Sequence, residues 1–385
     1  MEVKQIYEIV NDATAEYVGS SALLKEDLSN VVDVGNAIFD NNAFDPVSRK
    51  LINHIGKVVF VNRPYAGAAP SVLMDSWEFG SILQKISSEL PVAQENETWE
   101  LQDGASYDPN IFRAPKVEEK FFNKLTTFEI DRSITERQMK QSFSSAEQLN
   151  GFISMLYNEV EKSLTVKTDA LVMRTINNMI AETMYNTYNS GSSFSTAGDC
   201  KAVNLLARYN TQFSQSLTAA AAIYDKAFIR YAAYQMNLVV ERLGRMSTLF
   251  NVGGKQRFTP KDMLHIVTLA EFGSAADIYL QSDTFHDNYT KLVNSERVPY
   301  WQGSGTGFAF ADTAKVYATT TGSHDVTATG ILGVMFDRDA LGVNLFNSRV
   351  TTQYNGKAEF TNYFYKRDAR YFNDFNENFV VFFVA

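Results

Sequence analysis

Two pairs of adjacent, oppositely charged residues lie close together in the stretch FEIDRSITERQMKQSF: Asp131 with Arg132, and Glu136 with Arg137. Carboxylate and guanidinium groups placed in this way would suit acid–base catalysis if they faced a common substrate. The direction of each side chain therefore decides whether the stretch forms a catalytic site.

Apolar and polar residues alternate at the start of this stretch, which predicts a strand. Phe128 and Ile130 would lie on one face of that strand and Asp131 on the other. Because neighbours in a strand point to opposite faces, Asp131 and Arg132 are not expected to act together on one substrate atom.

The second charged pair follows a helix-start signal. Thr135 and Gln138 have the spacing of a capping box, so Glu136 and Arg137 are expected in the first turn of a short helix. An acidic residue is favourable there because it faces the positive end of the helix dipole. We therefore interpret both pairs as structural charges at a strand-to-helix corner.

Two further motifs suggest chemistry on first inspection. Asp337 and Asp339 would share one face of a strand and so could hold a cation, but Arg338 between them favours a solvent-exposed corner at a strand end. The glycine-rich Gly303–Gly307 lacks the Lys-Ser/Thr pair of a phosphate-binding loop, which favours a simple turn.

Histidine and cysteine give no metal or nucleophile pattern. Cys200 is the single cysteine, which excludes an intrachain disulfide and a zinc site built on several thiolates. The four histidines have neither helical pair spacing nor an HExxH motif; they are His54, His265, His286 and His324. We expect no catalytic residue, no metal and no cofactor.

Composition narrows the class of protein. The 385 residues are 45% hydrophobic, which predicts an ordered chain with a large core. A net charge of −9 argues against nucleic-acid binding in the absence of a local basic patch. The start MEVKQIYEIV lacks a signal-sequence core, and runs such as FVVFFVA are far shorter than the ~20 residues of a membrane helix. A soluble protein made in a cytoplasm is expected.

The N-terminal third contains a long stretch without a core pattern. Residues 1–55 have loose helical patterning, and Lys57–Tyr65 (KVVFVNRPY) predicts a strand. Residues 66–115 then lack periodicity but contain Trp77 and Trp99. So long a weakly patterned segment in a compact protein predicts a loop that binds a partner.

The clearest element is a long helix. Behind a capping box at Ser144 and Glu147, apolar residues recur every three or four positions from Leu149 to Leu164. After a weaker patch at Thr165–Thr168 the pattern resumes from Leu171 to Ile180, and it ends before Asn189. This spacing predicts one helix of about 40 residues, on the order of 60 Å in length. Few compact enzymes need such a helix.

The remainder predicts a mixed region followed by strands. Leu217–Met246 is rich in alanine and predicts helices ending near Gly244, whereas Met263–Phe272 predicts a buried strand. Thr329–Phe346 predicts a buried strand, a charged turn and a second apolar segment, and the C-terminal residues return to strand-like alternation.

In this order, the segments resemble the major capsid protein of tailed bacteriophages with the Hong Kong 97-like fold, especially those of short-tailed phages of Gram-positive hosts. Pro115–Leu156 resembles the passage where the extended loop returns, a strand follows and the spine helix begins. Asp262–His286 is similar to the axial-domain strand and helix, and Gly330–Val343 to the late core strand and turn. Asn362–Phe383 resembles the closing peripheral-domain strands.

The resemblance implies an α+β capsid fold and a division of the chain. The expected parts are an N-terminal arm (1–55), an extended loop lying over a neighbouring subunit (56–125), a peripheral domain with the spine helix (126–190), an axial domain (191–345) and C-terminal strands of the peripheral domain (346–385). Within the extended loop, the expected assembly contacts are Tyr65, Trp77, Phe79 and Trp99.

The function implied is that of a major capsid protein, not an enzyme, which assembles as hexamers and pentamers into an icosahedral head shell around double-stranded DNA. The expected partners are other copies of the chain, a separate scaffolding protein and a portal protein, with DNA enclosed but not bound by sequence and with no membrane. The protein is expected in the virion after assembly in the host cytoplasm. Covalent crosslinking of subunits is not predicted.

Two alternatives remain open from the sequence. An encapsulin-like shell has the same fold but encloses cargo enzymes and assembles without a scaffold. A soluble α+β enzyme has weak support from Gly303–Gly307 and from the Asp337 and Asp339 pair.

Overall fold

The computed structural model describes residues 70–74, 82–93, 95–96, 99–110, 112–135, 146–281, 295–302 and 309–385, with isolated positions before residue 70. For residues 146–158 and 279–281 it describes the backbone alone. The short helix expected after Thr135, the strand Lys57–Tyr65 and the turn Gly303–Gly307 lie outside the described residues.

The described elements are mixed helices and strands. The helices are α1 (Ala146–Tyr188), α2 (Leu205–Phe213), α3 (Ala219–Ala222), α4 (Lys226–Leu243), α5 (Ala270–Gln281) and α6 (Phe310–Thr313). The strands before α5 are β1 (Leu83–Ser88), β2 (Val117–Phe122), β3 (Leu125–Thr135), β4 (Ala202–Asn204) and β5 (Leu264–Leu269). The later strands are β6 (Glu296–Val298), β7 (Val316–Thr319), β8 (Asp325–Ala328), β9 (Ile331–Asp337), β10 (Leu341–Asn355), β11 (Phe360–Asn373) and β12 (Phe379–Phe383).

The chain divides into two compact units. Among described residues, the first contains Leu125–Val172 and Val343–Arg370, and the second contains Pro70–Lys124, Met173–Gly342 and Tyr371–Ala385. Helix α1 contributes residues to both.

The predicted long helix is confirmed as α1, which has 43 residues. Its buried positions recur at helical spacing, as at Leu164, Leu171 and Ile176. In the patch where the apolar pattern weakens, Thr168 is buried and donates its hydroxyl to the carbonyl of Leu164 at 2.8 Å. That local bond satisfies the hydroxyl, so the helix continues through the patch. Asn189, with a φ of 49°, ends it.

The first unit contains a three-stranded sheet in the order β10-β11-β3. Strands β11 and β3 are antiparallel, with Phe364 opposite Asp131 and Tyr365 opposite Ile130. Exposure alternates along β3 with Ile130 on the more buried face and Asp131 exposed, as the two-residue period predicted.

The second unit contains a five-stranded sheet in the order β4-β12-β9-β5-β6. Strands β9 and β12 are buried at every residue. A strand covered on both faces has no polar side, which explains the unbroken apolar runs at Ile331–Phe336 and Phe379–Phe383. Helix α5 packs on β5 and β6, and α4 packs on α5 and α2.

The C-terminal strands belong to two different sheets. Strand β11 pairs with β3, whereas β12 pairs with β9 and, in parallel, with β4. The loop at Asp374–Asn378 separates them, and β12 finds its partners far away in the sequence. Such long-range pairing leaves no local pattern to read.

Candidate assembly surface

Of the carboxylate pair Asp337 and Asp339, the Asp337 side chain stabilises a turn. Asp337 accepts hydrogen bonds from the Thr259 hydroxyl at 2.7 Å and from the Asp339 backbone N–H at 2.9 Å. The expectation of a solvent-exposed corner is wrong for Asp337, which is buried because β9 ends inside the sheet. No group of three His, Cys, Asp or Glu residues in the described part of the chain is arranged to hold a metal ion.

The charged pair Asp131 and Arg132 does not form a site either. Asp131 is exposed on one face of β3, and Arg132, on the opposite face, pairs with Glu159 of α1. The interpretation as structural charges agrees with this geometry. Glu136 and Arg137 lie outside the described residues.

The most unusual surface is a hairpin formed by β1 and β2. The strands are antiparallel, with Lys85 opposite Lys120 and Ile86 opposite Glu119. Exposure alternates strictly along both strands. The more buried face carries Lys85 and Lys120, whereas Ile86 and Phe121 on the outer face are 65% and 61% exposed. The outer face also carries Gln84, Ser88 and Glu119, so large apolar side chains are exposed there among polar ones. In most surface hairpins the apolar residues face inward.

The inward-facing lysines attach the hairpin to the rest of the second unit. Asp374, which follows β11, accepts hydrogen bonds from Lys85 at 2.9 Å and from Lys120 at 3.1 Å. Lys85 also donates to the backbone carbonyl of Asp339 at 2.8 Å. Burial alone would raise the pKa of the Asp374 carboxyl, but Lys85, the Asn376 backbone N–H and Lys120 hold it below its usual range.

A second set of ion pairs lies beside the first. Lys255 contacts Glu118 of β2 at 2.7 Å, and the side-chain amide of Asn376 donates to the same carboxylate at 3.2 Å. The hydrogen bond from Lys255 lowers the pKa of Glu118, against a smaller effect of burial.

Glu377 has the opposite electrostatic balance. It lies 3.4 Å from Arg257 and 3.5 Å from Lys85. Burial, supported by repulsion from Asp374 and Asp337, nevertheless raises the pKa of Glu377. We call the cluster of Lys85, Lys120, Asp374 and Glu377 the root of the hairpin. Its surroundings stabilise the charged form of Asp374 and disfavour the charged form of Glu377.

Aromatic packing completes the root. The Phe122 and Phe372 rings lie 5.2 Å apart, and the Lys85 ammonium is 5.8 Å from the Phe372 ring centroid. The hairpin is thus fixed through its inner face by ion pairs and one aromatic contact, which leaves Ile86, Val117 and Phe121 exposed on the outer face.

In the segment between the two strands, residues 89–116, every described residue is also exposed. Trp99 is 96% exposed and Phe112 is 86% exposed. The segment contains six acidic and two basic residues. Large apolar side chains at such exposure commonly indicate an interaction surface.

Of the expected loop contacts, only Trp99 can be placed. Tyr65, Trp77 and Phe79 lie outside the described residues. Sequence reasoning missed Ile86, Phe112 and Phe121; the signal was present in the alternation of lysine and apolar residues at Lys85-Ile86 and Lys120-Phe121.

Comparison with known proteins identifies the class. The family of Phi29-like phage major capsid proteins matches residues 6–383. The chain belongs to this family. The capsid protein is therefore a component of the virion that builds the head shell, and its predicted recognition as a tailed-phage capsid protein is confirmed.

Solved structures agree on the fold of this capsid protein. A chain in the capsid structure of Staphylococcus phage Andhra has a TM-score of 0.50 at 9% identity, covering 84% of this chain and 86% of that one. A chain from a structure of native bacteriophage P68, described as showing its head fiber and inner core protein gp22, has a TM-score of 0.52 at 9% identity, covering 85% and 86%. The expected Hong Kong 97-like α+β fold is confirmed.

No curated protein matches the capsid protein sequence. Among its described residues, no helix combines the length and apolar character that a membrane crossing needs.

Proposed function

We propose that this capsid protein assembles as hexamers and pentamers into an icosahedral shell that encloses double-stranded DNA, and that residues 56–125 form an extended loop lying over a neighbouring subunit. The observation that carries the proposal is the hairpin, which is anchored by ion pairs on one face and exposes Ile86, Val117 and Phe121 on the other. A surface of this kind is suited to a partner that every subunit in a closed shell meets in the same way.

The outer face supplies the binding energy in this scheme. Full burial of one Val, Leu, Ile or Phe side chain contributes about 1.5–3 kcal/mol. Ile86, Phe121, Trp99 and Phe112 are mostly exposed in one subunit, so their burial between copies would contribute several such increments before ordering costs. Tyr65, Trp77 and Phe79 are proposed as further contacts of the same loop.

The rest of the chain takes its roles from this assembly. Residues 1–55 are the proposed N-terminal arm, 126–190 and 346–385 the peripheral domain, and 191–345 the axial domain. In this division β12 contributes its strand to the sheet of β9 and β4. The proposed role is structural, without catalysis, and is supported by Asp337, whose carboxylate accepts from the Asp339 backbone N–H in a turn.

The partners follow from the same role. Scaffolding protein guides assembly in the host cytoplasm, portal protein occupies one vertex, and DNA fills the interior. The net charge of −9 supports enclosure of DNA without strong binding to its phosphates. Salt-sensitive DNA binding by the free subunit, measured by titration into duplex DNA at rising salt, would contradict this part.

Electron microscopy of the purified protein tests the proposal, first expressed alone and then with the scaffolding protein. Closed icosahedral shells that need the scaffold are expected. Small uniform shells from the protein alone would favour a cargo compartment of the encapsulin kind. Small oligomers under both conditions would overturn the proposal and return attention to an enzyme.

A further inference from the structure

Helix α4 carries an exposed stripe that ends beside two exposed arginines, Arg242 and Arg245. Ala227, Arg230, Tyr234 and Glu241 are exposed and follow one another at helical spacing, so they share one face. Tyr234 is 61% exposed. The opposite face is buried.

The surroundings of the stripe are basic. Residues 205–249 contain five basic and two acidic residues in a chain whose net charge is −9. Both acids are engaged: Glu241 pairs with Lys261 at 2.5 Å, and Asp225 caps α4 by accepting from the Phe228 N–H at 2.6 Å. Arg242 and Arg245, at the end of α4, are exposed. The face therefore presents positive charge to solvent.

The same region also exposes large apolar side chains. Of the ten large apolar residues that are exposed outside residues 82–125 in the described chain, six lie within residues 213–258. They are Phe213, Tyr224, Tyr234, Met246, Leu249 and Phe258. Exposed aromatic rings and exposed arginines thus lie in the same part of the chain, and Tyr234 and Arg230 share one face of α4.

We propose that this α4 face of one copy receives the segment 89–116 of a neighbouring copy. That segment has six acidic and two basic residues and exposes Trp99 and Phe112. The two surfaces are therefore opposite in charge, and both expose aromatic rings. The inference rests on the proposed function, because it specifies what the loop of one subunit meets on the next. The arginines steer and align the segment, and the rings bury one another.

Disulfide trapping in assembled shells tests the contact directly. In a Cys200→Ser background, Ser106→Cys in the segment is combined with Ala227→Cys on the stripe, all at small or exposed positions. The matched control combines Ser106→Cys with Ala358→Cys, which is exposed in the turn between β10 and β11. Oxidised shells of the first variant should give a ladder of covalent oligomers on a denaturing gel, and control shells only background.

The outcomes separate the two proposals. Shells that form but give no ladder above the control overturn the docking of the segment on α4 and leave the capsid assembly intact. An unmodified chain that makes no shells, alone or with scaffold, overturns the proposed function itself.

A charge exchange decides the case if the cysteine variants do not assemble. Arg230→Glu with Arg245→Glu, or Glu100→Lys with Asp103→Lys, should each lower the yield of shells about tenfold, because like charges then face each other. Combining all four substitutions should restore at least half of the yield. Failure of the combined variant to recover, with its circular dichroism and melting unchanged, would overturn the inference.

Discussion

Replacing Asp374 with asparagine should loosen the root of the hairpin while leaving the sheet beneath it folded. Asparagine has the same shape and keeps the acceptor for the Asn376 N–H, which lies 3.1 Å from the carboxylate. The substitution therefore removes one negative charge from between Lys85 and Lys120.

The size of the effect follows from the burial of the three groups. Removing one partner of a fully buried ion pair costs about 3–5 kcal/mol because it leaves an uncompensated charge. The Asp374 side chain is 4% exposed, but Lys85 and Lys120 are 23% and 31% exposed and can turn toward water. Lys85 also keeps Glu377 at 3.5 Å. A cost of about 2 kcal/mol results, which is about a 30-fold rise in the opening equilibrium of the hairpin.

Hydrogen exchange followed by mass spectrometry measures this opening in the full chain. Amides of β1 and β2 should exchange about 30-fold faster in Asp374→Asn, whereas those of β9 should not change. Glu100→Gln, at an exposed acid in the connecting segment, is the matched control. Exchange in β1 and β2 within about threefold of the unmodified protein would refute the reasoning that ion pairs hold the root.

Acid should act on the same carboxylate in the same direction. The folded-state pKa of Asp374 is below the ordinary value of an aspartate, because Lys85 and Lys120 stabilise the charged form. Its contribution to stability is therefore present above the unfolded pKa and is lost as pH falls through the folded one. Exchange at the root should accordingly rise only in strongly acidic solution, below the usual range of an aspartate.

Three further predictions concern other sites. Glu377→Gln should preserve or slightly raise the free energy of unfolding at pH 7, because burial raises the pKa of Glu377 and so disfavours its charged form in the fold. The difference should vanish once the pH falls below the ordinary pKa of a glutamate, and a loss of stability at pH 7 in urea titrations would contradict the prediction. Ile176→Ala, at a fully buried position of α1, should lower the free energy of unfolding by about 3 kcal/mol in the same titrations. The control Val166→Ala, at an exposed position of the same helix, should lower it by less than about 0.5 kcal/mol, and equal losses would mean that this part of α1 packs differently. Trp77→Ala with Trp99→Ala should give a folded subunit that makes no shells under electron microscopy, and normal shells from it would show that the loop contact lies elsewhere.

Elements specified by local patterns were predictable from the sequence. The helix α1 follows from apolar residues at spacings of three and four, which reflect its own geometry and need no knowledge of partners. Strand β9 follows in the same way, because burial on both faces requires an unbroken apolar run. The alternation around Ile130 likewise fixed the opposite directions of Asp131 and Arg132.

The hairpin was missed because its pattern is reversed. Sequence reasoning assigns apolar residues to the interior, but Ile86 and Phe121 face outward while Lys85 and Lys120 face inward. The inward charges are acceptable only because Asp374 meets both lysines, and that residue lies more than two hundred positions away. The residues next to Lys85 and Lys120 in the sequence do not indicate that Asp374 will pair with them.

The position of β12 has a consequence for the order in which the protein is made. Strand β12 lies between β4 and β9, so without it the sheet separates into β4 alone and the group β9-β5-β6. Yet β12 is translated after every other described strand. During synthesis the earlier strands must wait, with apolar edges open, until Phe379–Phe383 leaves the ribosome. Completion of this sheet therefore waits for the last described strand, and a nascent chain that still lacks β12 cannot present the finished sheet to other subunits.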